Sequence, residues 1–326
     1  MTVATADRPH SAVTARAVAF VAANRERAEA IGRSLADDIS NPDAFAIHLA
    51  NGLRDLADPE YLAGQQHVAP CLGPIYGVRW PLLAAVGRGF REITRRDRPT
   101  ALLFVADRLF RATELEPRWF AFGLLRRTLD VDPERTWQLL RRAAREAGDW
   151  ITVDTLAHAV ARGIAREPYR WAELEQLTLS PRRWERRLVG STIATLPFED
   201  RRAGRRPEVA THGLQLLGEL IGDAEPDVQK ALARAYRSLT LVDAVATAAA
   251  LAAEAEMAAN TADGHRAWVI RDALPKIDQA TAEAIRERLH GIRRRPGAPS
   301  TSRASELSTR FAGMSLGGPL PEPPLT

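Results

Sequence analysis

The chain has 326 residues, 45% of them hydrophobic and 26% charged, which supports a large core and excludes disorder of the whole. Its 45 basic residues oppose 41 acidic ones for a net charge of +4, and one cysteine, Cys71, closes no internal disulfide and builds no thiolate zinc site. No stretch approaches the ~20 apolar residues of a membrane span and no signal-peptide core opens the chain, so a soluble, cytoplasmic protein in a reducing compartment is expected.

Apolar residues recur every three to four positions almost throughout, without alternating β-branched runs joined by hairpin turns. The spacing predicts helices over 14–38, 42–56, 81–96, 100–112, 117–129, 133–146 and 150–165. It predicts further helices over 168–179, 181–196, 207–221, 226–239, 242–260, 264–274 and 278–292. Many begin with a capping or acidic residue followed by proline: Asn41-Pro42, Glu116-Pro117, Asp132-Pro133, Glu167-Pro168, Ser180-Pro181 and Glu225-Pro226. Proline at the first helical position forfeits no hydrogen bond, and the oxygen before it can cap free amides. From Arg293 the periodicity fails and Pro, Gly and Ser follow an arginine run, which predicts a disordered basic tail over 293–326. The expected division is a helical cap over 1–60, a repeat domain over 61–292 and that tail.

Helix starts at Glu116, Ser180 and Glu225 carry comparable Pro-led patterns, and Asp263 opens a fourth without the proline. Their later spacings lie near the ~40–47 residues of HEAT and armadillo repeats. The fold class expected is all-α: an α-solenoid of HEAT-like antiparallel helical repeats with a concave basic face, preferred over a closed bundle because each unit meets only its neighbours. Of the basic residues only Lys230 and Lys276 are lysine. Arginine pairs recur at Arg95-Arg96, Arg126-Arg127, Arg141-Arg142, Arg182-Arg183, Arg186-Arg187, Arg201-Arg202 and Arg205-Arg206. Arginine's planar fork suits bidentate phosphate contacts, so these pairs fit either a phosphate-binding stripe or a solvated face whose stems cover apolar surface.

Three stretches stand out for chemistry. If a helix begins after Asp149, then Trp150, Asp154 and His158 share one face, an aromatic plate beside a carboxylate and an imidazole. The plainer alternative packs Trp150 between hairpins and pairs Asp154 with an arginine of the next repeat. A second stretch sets Trp184 and Arg187 one turn apart. A third places Lys230, Arg234 and Arg237 on one helical face, where they must meet water, acids or phosphates. Seven histidines without a His-x-x-x-His pair, and no Gly-rich phosphate loop, give no metal or nucleotide-cofactor site. Cys71 lacks the neighbours of an activated thiol and is read as structural.

Five motifs taken in order resemble the AlkD-type DNA alkylation repair proteins, DNA glycosylases built from HEAT-like repeats. They are Tyr76-Gly-Val-Arg-Trp-Pro, Leu115-Glu-Pro-Arg-Trp-Phe-Ala, Trp150-Ile-Thr-Val-Asp154, Trp184-Glu-Arg-Arg187 and Lys230-Ala-Leu-Ala-Arg-Ala-Tyr-Arg237, within a likeness running from about Tyr61 to Leu274. The resemblance implies that a concave surface grips duplex DNA carrying alkylated bases and releases cationic N3- or N7-alkylated purines without flipping the base into a pocket. It implies that Asp154 supplies the catalytic carboxylate, that Trp150 lies against the deoxyribose, and that Arg187 and Arg237 contact phosphates. Two departures from the family pattern are Arg234, where the family has a second sugar-packing Trp, and Ile151, where it has Asp. The expected protein is a monomeric DNA N-glycosylase without cofactor; the alternatives are a HEAT-repeat DNA-binding protein that excises nothing, and a protein-interaction scaffold.

Overall fold

The computed structural model describes residues 12–69, 72–94 and 99–313, so Cys71 and the Arg95-Arg96 pair lie outside the described residues. The protein is all-α. Among the described residues the only β-type pairing is an isolated antiparallel bridge between Ala57 and Val78. The chain divides between Leu139 and Leu140 into two compact units.

The first unit contains α1 (Ala12–Ser34), α2 (Pro42–Asp55), α3 (Pro59–Val68), α4 (Trp80–Ile93), α5 (Pro99–Leu109) and α6 (Leu115–Thr128). Helix α1 packs on α4 and α2 on α5, so the N-terminal helices share this unit's core. Phe45, Phe90 and Phe120, from α2, α4 and α6, meet with ring centroids 5.4 to 6.1 Å apart. All three are buried, and aromatic triads of this kind add edge and tilted contacts to their burial.

Two of the sequence motifs meet in this unit. Glu116 does not cap a helix as its Glu-Pro context suggested; Glu114 holds the N-cap position of α6 without a side-chain bond. The Glu116 carboxylate is fully buried and accepts the backbone N–H groups of Tyr76, Gly77 and Val78 at 3.0, 2.8 and 3.2 Å. Burial pushes its carboxyl above the usual range, and these amides offset part of that shift. Gly77 has φ +89°, where only glycine is unstrained, and an added Cβ would lie 2.8 Å from Leu62 Cβ. Asp58 caps α3 and takes Arg79 Nε at 2.6 Å, which completes the anchoring of this connection.

Helix α7 (Pro133–Glu146) contains the division. Beyond it come α8 (Trp150–Arg166), α9 (Trp171–Gln176), α10 (Arg183–Glu199), α11 (Pro207–Leu220), α12 (Pro226–Leu239), α13 (Ala244–Thr261), α14 (Gly264–Ala273), α15 (Gln279–Arg288) and α16 (Arg303–Gly313). In this second unit α8, α10, α12 and α14 pack side by side in order, and α11, α13 and α15 follow one another likewise. That alternation is the helical-repeat arrangement expected from the spacing of helix starts. The predicted helix over 168–179 is instead α9 between two 3-10 turns, Pro168–Arg170 and Leu177–Leu179. At its start the fully buried Arg170 bonds Glu167 at 2.6 Å.

The tail is not disordered as far as residue 313. Arg294 donates to Gln229 at 2.8 Å, the Thr301 N–H to the Gly222 carbonyl at 2.9 Å, and α16 packs on α11. Ser302 accepts the Ser305 N–H and caps α16, while Ala304 is buried on the helix. A Pro/Gly-rich approach of this composition hides one short capped helix.

Candidate active site

Asp149 begins the site. Its Oδ1 accepts the Thr152 N–H at 2.8 Å and its Oδ2 the Thr152 hydroxyl at 2.7 Å, an N-cap that fixes the first turn of α8. Burial pushes the Asp149 carboxyl up, against the pull of the Thr152 bonds and the Arg187 charge. With that turn fixed, Trp150 is the first residue of α8 and Asp154 lies one turn on, facing α10.

Asp154 is where α8, α10 and α12 converge. Arg187 on α10 grips it with both arms of its fork, Nε to Oδ1 at 3.1 Å and Nη2 to Oδ2 at 2.9 Å. Ser191, one turn further along α10, donates to Oδ1 at 2.6 Å. Arg234 on α12 adds Nη1 to Oδ2 at 3.3 Å. The remaining Nη1 of Arg187 donates to the Asp227 carbonyl in the first turn of α12 at 2.6 Å. This reach depends on close approach of the two helices: a Cβ at Gly190 would come within 2.9 Å of the Ala231 backbone. The Arg187 guanidinium also lies 5.9 Å from the centroid of the half-buried Trp150 ring, within cation-π range.

The exposures rank these groups. The Arg187 side chain is 7% exposed and Asp154 19%, whereas Arg234 is 47% exposed. Arg187 is therefore a bound component of the site and not a free cation on its rim. The tight pairing of Asp154 with an arginine of the next helix is the plainer alternative that the sequence left open, and it holds together with the Trp150–Asp154 juxtaposition.

The other expected site residues scatter. Trp184 is half-buried at the start of α10 under Arg183, whose guanidinium lies 4.7 Å from the ring centroid. The basic face of α12 splits: Arg234 turns to α8, while Arg237 turns to α14 and donates to Asp272 Oδ2 at 2.8 Å. Lys230 is exposed. His158 does not join Asp154 but lies 3.3 Å from Glu199 near the end of α10. Ser191 escaped the sequence reading, although its place four residues after Arg187 puts it on the same face of α10.

The first unit holds a constellation with the order of a hydrolytic triad and none of its chemistry. His48 lies 2.8 Å from Asp38 and 3.2 Å from the Ser34 hydroxyl. The Ser34 hydroxyl also lies 2.9 Å from the Ile31 carbonyl, closer than the imidazole, so its single proton has two competing acceptors, and that carbonyl repels any oxyanion formed beside it. The trio ties the end of α1 to α2. Among the described residues no group of three His, Cys, Asp or Glu side chains is placed to hold a metal ion, and no helix is long and apolar enough to cross a membrane.

No curated protein and no solved structure matches the chain. A family model described as DNA alkylation repair enzyme matches residues 49–277, a span that includes both the Glu116 anchor and the convergence on Asp154. On this match the chain belongs to the DNA alkylation repair enzyme family.

Proposed function

We propose that the protein is a DNA N-glycosylase that releases N3- or N7-alkylated purines from duplex DNA, with Asp154 as its working carboxylate. The observation that carries this reading is the Trp150–Asp154 pair on one face of α8, with Asp154 partly exposed and held by Arg187 and Ser191. An alkylated purine bears a positive charge and leaves without a strong general acid. As its C1′–N bond breaks, the bonding electrons neutralise the purine and positive charge develops on the sugar. A fixed carboxylate beside that sugar stabilises the charge, and water then adds to C1′ and loses a proton. In this proposal Asp154 faces C1′, Trp150 lies along the deoxyribose, and Trp184, Lys230, Arg234 and Arg237 border the path of the backbone. A phosphate draws Arg187 and Arg237 only in competition with the carboxylates they already bind.

One observation favours a second reading, a DNA-binding protein that excises nothing: both Asp154 oxygens already accept two hydrogen bonds each. Release of N7-methylguanine and N3-methyladenine from methylated duplex separates the two. The first reading expects release by the natural chain and loss of about a hundredfold or more in Asp154→Asn at matched saturation, the magnitude typical of removing one transition-state electrostatic partner. No release by a chain that binds the duplex establishes the second.

A further inference from the structure

Four donors, two guanidinium groups among them, fill the acceptor sites of Asp154 and offset its negative charge, so it stabilises a sugar cation fully only after one of them leaves. The structure singles out which one. Ser191 is buried and its bond is the shortest of the four at 2.6 Å. Arg187 is pinned at three atoms, two on Asp154 and one on the Asp227 carbonyl, and its departure would leave a buried guanidinium unpaired. Arg234 makes one bond to Asp154, the longest of the set at 3.3 Å, and its side chain is 47% exposed. An exposed pair of this kind contributes little in water, whereas a phosphodiester presents anionic oxygens that fit the planar fork at least as well. Lys230, exposed one turn earlier on α12, adds a second cation on the side from which a phosphate would arrive.

We propose that Arg234 is a guard on Asp154: it occupies Oδ2 in the free protein and leaves it for a backbone phosphate when duplex DNA is seated. The carboxylate is then unmasked only in the complex, and the charge that closed the site becomes part of the grip. Arg187 and Ser191 remain on Asp154 throughout and keep it aimed. This inference rests on the proposed function for the identity of the ligand as duplex DNA, but its test needs no excision.

The test is a double-mutant cycle on binding of an unmodified duplex by the full chain, followed by fluorescence anisotropy across a salt series. The four proteins are the natural chain, Asp154→Asn, Arg234→Ala and the double variant, with Arg234→Gln as an alternative should the alanine variant fold poorly. In the natural background Asp154→Asn releases Arg234 in advance, so it tightens binding roughly fivefold more than it does in the Arg234→Ala background. Arg234→Ala by itself lowers the slope of log affinity against log salt by about one, the mark of one lost phosphate contact. Equal effects of Asp154→Asn in both backgrounds, an unchanged salt slope, or no duplex binding at all overturn the proposal. Coupling without purine release keeps the guard and removes the glycosylase; release without coupling does the reverse.

Discussion

Two carboxylates define the two units, and they are held in opposite ways. Glu116 in the first is fully buried and accepts three neutral backbone amides from one connection. Asp154 in the second is partly exposed and faces two guanidinium groups and a hydroxyl. The amides cannot leave without unfolding the segment 72–78 to which they belong, so Glu116 is a staple. Side chains can rotate away, so Asp154 is a group whose availability can change. Similar chemistry on two family-like motifs thus gives a structural part in one unit and an adjustable one in the other.

The comparison breaks most readily at Glu116. Glu116→Ala orphans three N–H groups, two of them buried with it, and at about 1–3 kcal/mol for each such group a loss of some 3–5 kcal/mol is expected in urea unfolding of the first unit. A loss under about 1 kcal/mol would show that water reaches these amides and that the staple is not one. The complementary result belongs to Asp154: Asp154→Asn lowers purine release by about a hundredfold, equivalent to ~2.7 kcal/mol of barrier, in a second unit that loses some stability with the charge facing Arg187 but stays folded. If instead it unfolds the second unit and leaves release intact, Asp154 is the staple and the contrast fails.

The pH dependence sharpens the same contrast. Burial raises the Glu116 pKa above its ordinary value of 4.5, against the pull of the amides. A raised carboxyl binds its proton more tightly in the folded state than in the unfolded one. Its contribution to stability is fully present below 4.5 and is lost as pH rises through the folded value. The stability of the natural chain relative to Glu116→Gln should therefore fall as pH is raised from 4.5, because glutamine carries no titrating proton. A difference that stays flat between acid and neutral pH would mean that the amides fully compensate for burial. Asp149 shifts in the same direction, so only the subtraction of the two proteins isolates Glu116.

Most of this fold is written in local sequence. Helices α7 and α12 coincide with the predicted spans 133–146 and 226–239, because Pro at the first turn and the apolar period mark both ends. Helix α3 was missed because Pro59 to Val68 buries no residue and so carries no apolar stripe, and α16 because its single capped run follows a Pro/Gly stretch. The site was legible in part: the N-cap at Asp149 sets Trp150 and Asp154 on one face from local sequence alone. Its closure was not, since Asp154, Arg187 and Arg234 meet across separations of 33 and 80 residues. What brings them together is the close α10–α12 contact at Gly190, which no local pattern announces. The partners of Arg187 and Arg237 are hidden in the same way: charge is visible in sequence, but whether a carboxylate of a neighbouring helix pairs with it is not.

The smallest expected effect separates the cations of α12 from one another. Arg237 is drawn toward α14 by the Asp272 carboxylate and carbonyl, whereas Lys230 stays exposed. A phosphate approaching this helix gains from Lys230 without displacing a protein partner, and from Arg237 only after competing with Asp272. Lys230→Ala should then weaken duplex binding modestly and evenly across sequences and lower the salt slope by about one. Arg237→Ala should leave the slope nearly unchanged and show itself as a loss of at most about 1 kcal/mol in unfolding, as expected for a pair that is part-exposed to solvent. Measured side by side, the two variants test whether pairing inside the protein, and not charge alone, decides which arginines and lysines of this face are available to DNA. Equal salt slopes for both would mean that Asp272 gives up Arg237 to the backbone as readily as Asp154 is proposed to give up Arg234, and the guard would then extend along the whole helix.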